Sequence, residues 1–371
     1  MTLGAAVSTP VRSGGFMTLD RLATWMEAEN LEAFLVMRPE NVRYLSGYTG
    51  DDSYLLITAS AKLFVTDPRY TEQAAQECPD WTIVDWRQDG TSLASALGLY
   101  IRRAGGRRVG FEADFLTFQN HAAITENTSF ELVPTVGVIE GYRKIKTPEE
   151  IEKLKISCGI ADRALARLYE DIRPGVSEKE LAALLALYLV REGSDTKPYG
   201  GILISGKRTS LLHGIPSDKK VEKGDFVLID FGGQYRGYLA DMTRTVVVGK
   251  ATDEQKEVYA YEKAMVEATL AAIRAGASSK EVFAASTKPI EGTKYFGYHY
   301  TGIGHGIGLF VHESPFLSPR SDDILEKDMV MTVEPGIYVP DWGGVRIEDQ
   351  ILVTDSGYID LTSTSRELVE L

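Results

Sequence analysis

Between Leu19 and Phe111 the apolar positions alternate between two spacings. Leu19 to Asn30, Tyr70 to Cys78 and Ser92 to Arg103 read as helices, with apolar residues three and four apart. Short apolar runs lie between and around them, at Ala33–Met37, Tyr54–Thr58, Leu63–Thr66, Trp81–Val84 and Arg108–Phe111, and read as strands. This alternation predicts a small α/β domain with a mixed sheet. Gly105, Gly106 and Gly110 follow a helix and lead into a strand. A phosphate-binding glycine loop needs the reverse order, so none is expected here.

After Tyr142 the pattern changes. Thr147 with Glu150 forms a capping box, and Pro148 suits a first helical turn. Ile151, Leu154, Cys158, Ala161, Leu165, Leu168 and Ile172 then predict one continuous amphipathic helix, stopped by Pro174 and Gly175. Ser177 with Glu180, Thr252 with Gln255 and Ser278 with Glu281 open three more helices. Strand-like runs fall at Phe226–Asp230, Thr243–Val248, Val330–Val333 and Ile351–Val353. The second domain is therefore expected to be α+β, its helices covering a sheet.

The 371 residues exceed the usual span of one core, so two domains are expected: residues 17–143 and 144–371, after a leader or extension at 1–16. The leader has one arginine and no apolar core, unlike a signal peptide, and Met17 offers a second start. A net charge of -13 argues against nucleic acid or an anionic membrane as partner. No apolar run is long enough to span a bilayer. Cys78 and Cys158 form no motif, which suits free thiols in a reducing cytoplasm.

The chemistry starts at FVLIDFGGQYRGYLADMTRT, residues 226–245, a hairpin pattern with carboxylates at Asp230 and Asp241. An isolated pair of turn acids is ordinarily solvated, but these two have company. GHGIGLFVHESP carries His305 and His312, TVEPGIYV carries Glu334, and GGVRIEDQILV carries Glu348. A glutamate turned inward from a strand needs a partner or a metal. Asp230, Asp241, His305, Glu334 and Glu348 make four carboxylates and one imidazole, more anions than one divalent ion needs. Two ions sharing bridging carboxylates would resolve the repulsion, and this ligand set suits manganese, cobalt or zinc.

In these motifs the second domain resembles the pita-bread metallopeptidases, the family of methionine aminopeptidases, aminopeptidase P and prolidase. Residues 17–140, with RYLSGYTG and DPRYTEQA, resemble the creatinase-type amino-terminal domain of the proline-specific branch. The resemblance implies a dinuclear centre in which Asp230 chelates one metal, Asp241 and Glu348 bridge both, and His305 and Glu334 bind the second. It implies hydrolysis of Xaa-Pro bonds in small peptides by a metal-bridging hydroxide, with Glu334 shuttling the proton. His213 and His312 would contact the substrate, and Arg346 would either support the acids or contact substrate. A homodimer is implied as well.

Two positions depart from the pattern. His299 stands six residues before His305, where some relatives have a histidine four before. Phe316 stands where archaeal-type prolidases place an arginine that can hold a dipeptide's carboxylate. The expectation is an Xaa-Pro dipeptidase, with aminopeptidase P on longer peptides as the alternative. Methionine aminopeptidase, a creatine-amidinohydrolase-like enzyme and a non-catalytic binding module fit less well. The first usually lacks the preceding domain, and the other two typically lose metal ligands.

Overall fold

The computed structural model describes residues 14–90, 92–126, 128–195 and 201–371; residues 1–13 of the expected leader lie outside them. The chain divides into two compact units between Arg143 and Lys144.

The first unit opens with α1 (Gly14–Ala28), β1 (Ala33–Val36), α2 (Pro39–Ser46), β2 (Tyr54–Thr58) and β3 (Lys62–Thr66). It continues through α3 (Thr71–Glu77), β4 (Thr82–Asp85), α4 (Trp86–Asp89) and α5 (Leu93–Arg103). It closes with β5 (Arg108–Glu112), α6 (Phe118–Thr125), β6 (Glu131–Thr135) and α7 (Val138–Arg143). The strands form one mixed sheet in the order β4-β3-β2-β1-β5-β6. In the sequence β1 reads as an unbroken apolar run because both of its faces are covered. Phe34 and Val36 pack with Leu22 and Met26 of α1, whereas Ala33 and Leu35 pack with Leu97 and Ile101 of α5. Pro134 lies in β6, an edge strand, where its missing N–H is tolerated.

In the second unit the helices are α8 (Pro148–Leu168), α9 (Glu178–Arg191), α10 (Asp253–Ala272) and α11 (Ser279–Thr287). Their caps are the four boxes expected from the sequence, at Thr147, Ser177, Thr252 and Ser278. The first of these helices stops at Leu168 and does not run on to Ile172. Glu170 and Asp171 donate three residues back, to Arg167 and Leu168, so the chain tightens into turns ahead of Pro174. Ile172 is buried all the same.

The strands begin with β7 (Ile202–Ser205), β8 (Phe226–Phe231), β9 (Gln234–Tyr235), β10 (Tyr238–Leu239) and β11 (Met242–Val247). There follow β12 (His305–Gly306), β13 (Glu313–Phe316), β14 (Val330–Val333), β15 (Gly336–Val339), β16 (Gly343–Arg346), β17 (Asp349–Val353) and β18 (Tyr358–Asp360). One sheet runs β11-β8-β7 and another β13-β12-β14-β17-β18, while β9–β10 and β15–β16 are two-stranded ribbons. Val258, Met265 and Leu270 of α10 and Val282 of α11 share a core with Met331, Val333, Ile351 and Val353. Among the described residues no helix is long and apolar enough to cross a membrane.

Candidate metal centre

Strand register brings the acids together. On β8 and β11, which run antiparallel, Asp230 stands opposite Thr243. Thr243 also pairs with Glu348 in a bridge that joins the two larger sheets. Glu334 and Glu348 lie at the adjoining ends of β14 and β17, where Val333 pairs with Asp349. Gly306 pairs with Met331, which sets His305 beside Thr332. A Cβ at Gly304 would meet the Thr332 carbonyl at 2.2 Å, and one at Gly306 the Ser314 carbonyl at 2.3 Å. Only glycine fits on either side of His305.

One donor atom each from Asp241, His305 and Glu348 lies within 4.8 Å of the others, and all three residues are buried. His305 Nε2 is 3.2 Å from Glu334 Oε1 and 3.8 Å from Asp241 Oδ2. Thr332 Oγ1 donates to Glu334 Oε1 at 3.1 Å, and the His305 N–H donates to Thr332 Oγ1 at 3.1 Å. Glu348 Oε2 accepts from Thr243 Oγ1 at 2.6 Å. Its other oxygen, Oε1, is buried with no hydrogen-bond partner among the described residues. Leaving a buried carboxylate oxygen bare is costly unless a cation faces it. The donor set of carboxylates and one imidazole therefore fits divalent ions.

Asp230 takes a different partner: its Oδ2 accepts from Arg346 Nη2. The Arg346 side chain is 4% exposed. It also donates to Tyr338 Oη at 2.6 Å and to Thr243 Oγ1 at 3.1 Å. The guanidinium thus supports the acids from within the protein. Thr243, Thr332, Tyr338 and Gln350, whose Oε1 accepts the Asp241 N–H at 3.0 Å, are site residues missed in the sequence. Part of the signal was there: Asp241, Thr243 and Thr245 follow the two-residue period of one strand face.

Burial and the neighbouring Asp241, Glu334 and Asp230 push the Glu348 carboxyl well above its ordinary range. Burial also raises Asp230, partly offset by Arg346. For His305, burial works downward, but the hydrogen bond and charge of Glu334, with Asp241, push the imidazole up to about 9. For Glu334, burial works upward and the His305 contact outweighs it, holding the carboxyl below its usual range. In the metal-free protein, the shifts of Glu348 and His305 both favour their protonated forms.

His312 lies with its ring edge-on to His305, centroids 4.5 Å apart. Partial burial, followed by His305 and His213, lowers its pKa, so the two solvent-facing histidines and the buried one share one locality. The remaining histidines serve elsewhere. His299 Nδ1 bonds the Phe296 carbonyl at 2.6 Å, with its ring against Phe283 and Phe296. His121 packs partly buried against Phe111. Phe316, on β13 opposite His305, is 46% exposed.

Known proteins resemble the chain over nearly its whole length. Residues 152–355 match the model of metallopeptidase family M24, and residues 18–145 match the creatinase/prolidase N-terminal domain. An uncharacterised peptidase of Bacillus subtilis is 39% identical, over 96% of this chain and 100% of its own. The Xaa-Pro dipeptidase of Pyrococcus furiosus is 33% identical, over 95% and 99%. Among solved structures, the Xaa-Pro dipeptidase from Bacillus anthracis superposes with a TM-score of 0.91 at 37% identity, over 96% of this chain and 100% of that one. The X-Pro aminopeptidase from Thermotoga maritima gives 0.88 at 34%, over 95% and 99%. With a creatinase-type domain before a pita-bread domain, and relatives matched over nearly their full length, the chain belongs to metallopeptidase family M24.

Proposed function

We propose that this protein is a dinuclear divalent-metal peptidase that hydrolyses Xaa-Pro bonds, in the first place those of dipeptides. The observation that carries the reading is the bare, buried Oε1 of Glu348 beside Asp241 and His305. Asp230, Asp241, His305, Glu334 and Glu348 are the proposed ligands, and manganese is the proposed metal, ahead of cobalt or zinc. Bound ions of this kind would supply an activated water near neutral pH.

The chain's own residues do the rest. Glu334, its side chain 22% exposed, is the acid open to an incoming peptide. It takes the proton of the attacking water and delivers it to the proline nitrogen as the C–N bond breaks. Without that proton the departing nitrogen would leave as an unstable amide anion, so cleavage depends on this delivery. His312, with its lowered pKa, is a neutral N–H donor at pH 7. With His213 it stabilises the oxyanion that develops on the attacked carbonyl. Arg346 holds Asp230 and the Thr243 hydroxyl in place. A homodimer in the cytoplasm is the proposed setting, checked by light scattering and cell fractionation.

Phe316 favours a second reading, aminopeptidase action on longer peptides, because an exposed phenyl ring cannot hold a dipeptide's carboxylate. The test compares an Xaa-Pro dipeptide with the same sequence extended by two residues. Metal-stripped protein is reloaded with manganese, cobalt or zinc, with Asp230→Ala as control. Cleavage of the dipeptide alone makes it a dipeptidase, preference for the longer peptide makes it an aminopeptidase, and no metal-dependent cleavage sinks both. Phe316→Arg is expected to raise kcat/KM for the dipeptide about tenfold, the effect of one charge-assisted hydrogen bond.

A further inference from the structure

We propose that Glu313, paired with Lys146, is a positioning residue that fixes His312 for the reaction proposed above, on which this inference rests. Glu313 directly follows His312, and its backbone pairs with Gly306. Its side chain folds back into the loop of residues 308–312. Oε1 accepts the Phe310 N–H at 2.9 Å, and both carboxylate oxygens lie 3.0 Å from where a Cβ on Gly308 would be. Gly308 accepts from the Leu239 N–H at 2.9 Å and donates to the Phe310 carbonyl at 3.2 Å. The carboxylate therefore fills the inside of the loop that leads from His305 to His312.

On its far side, Glu313 Oε2 lies 3.4 Å from Lys146 Nζ, with the two side chains 6% and 1% exposed. Lys146 is fixed in turn, its N–H donating to the Asp328 carbonyl at 2.9 Å and Nζ to the Lys144 carbonyl at 3.4 Å. Desolvating two charges offsets most of their attraction, so such a pair adds little stability over apolar packing. What it provides is a single loop conformation, and with it a single pose of the His312 ring against His305. Glu313 touches neither substrate nor metal in this role and acts through His312.

The test uses the full-length, metal-loaded enzyme and whichever Xaa-Pro peptide the wild type cleaves. Glu313→Ala and Lys146→Met are made alone and on a His312→Ala background. Each alone is expected to lower kcat about 10- to 100-fold, the range for groups that orient others, with KM and metal content nearly unchanged. On the His312→Ala background neither should add a further loss; additive losses, or lost metal, overturn the positioning role. A second readout needs no turnover. The chain has five histidines, so the His312 imidazole resonance can be assigned by its disappearance in His312→Ala. In Glu313→Ala it should move and broaden while the signals of His121 and His299 stay; an unmoved His312 signal overturns the proposal. If the wild type cleaves no Xaa-Pro peptide, the substrate reading fails and the resonance still decides the positioning. Should Glu313→Ala not fold, Glu313→Gln with Lys146→Met retains the acceptor for Phe310, removes both charges and carries the same comparison.

Discussion

Glu348 and Asp349 are consecutive, each has a side chain only 1% exposed or less than 2% exposed as a residue, and their surroundings are opposite. Glu348 faces Asp241, Glu334 and Asp230, keeps one oxygen bare, and has its pKa pushed up by burial and by these acids. Asp349 faces Arg244 and Arg366 and accepts from Thr362 Oγ1 at 2.7 Å. Burial works to raise its carboxyl, but the two guanidinium groups outweigh it and hold the pKa down. Arg244 is as fully satisfied as its neighbour. Its donors reach the carbonyls of Thr243, Glu348, Thr364 and Ser365 and the Asp349 carboxylate. Successive strand residues point to opposite faces, so one step along the chain separates a closed structural network from an open site. Here the saturated face holds the fold, and the bare oxygen of Glu348 lies on the face that carries the candidate ligands.

The largest effect that could break this contrast comes from Glu348→Gln. It should abolish metal-dependent cleavage and the rise in melting temperature on adding manganese, while the metal-free melting temperature barely moves. Calorimetry with and without manganese decides; a retained metal-induced rise would mean that Glu348 is not a ligand. On the other face, Asp349→Ala leaves Arg244 buried without its counter-charge. It should destabilise by about 3–5 kcal/mol in denaturant titrations, in metal-loaded protein as in metal-free.

Acidity should separate the two faces next. His305, raised from 6.5 to about 9, contributes stability that is present below 6.5 and lost as pH rises through about 9. Glu348, also raised, acts in the same direction as pH climbs above its ordinary value of 4.5. Asp349, lowered from 3.8, contributes stability present above 3.8 and lost as pH falls through its folded value. Metal-free protein should therefore be most stable in mild acid, and metal should move that optimum upward by displacing the protons. Melting curves across pH, with and without metal, check this; coincident optima would refute it.

Thr243→Val removes the hydroxyl donor to Glu348 and should weaken metal binding about 10- to 100-fold by calorimetric titration. Smallest is Arg366→Ala, about 1 kcal/mol, because that side chain is 23% exposed and Asp349 keeps Arg244.

Much of this was legible in the sequence wherever the physics is local. The four capping boxes join residues three apart, so a linear pattern contains the whole interaction. The candidate ligands were legible because acids at the ends of apolar runs are out of place. Partnerships across the fold were not. Thr243 meets Glu348 at a separation of 105 residues, and nothing in ADMTRT announces that its hydroxyl is committed. The connection between Asp230 and Asp241 shows no element of its own in the sequence, yet it forms the ribbon β9–β10, whose two-residue strands are too short to show a period. Helix α2 was missed although Pro39 sits in its first turn and Gly47 ends it at φ 79. Its buried face includes Asn41, which satisfies itself on Glu112 and so breaks the apolar stripe.

The reach of Arg244 also sets a timetable. Two of its carbonyl acceptors, Thr364 and Ser365, lie 120 and 121 residues later in the chain. On the ribosome, β8 and β11 emerge long before those carbonyls exist, and before Glu348 as well. The buried network around Arg244 closes late, once the far segment has been made and folded back.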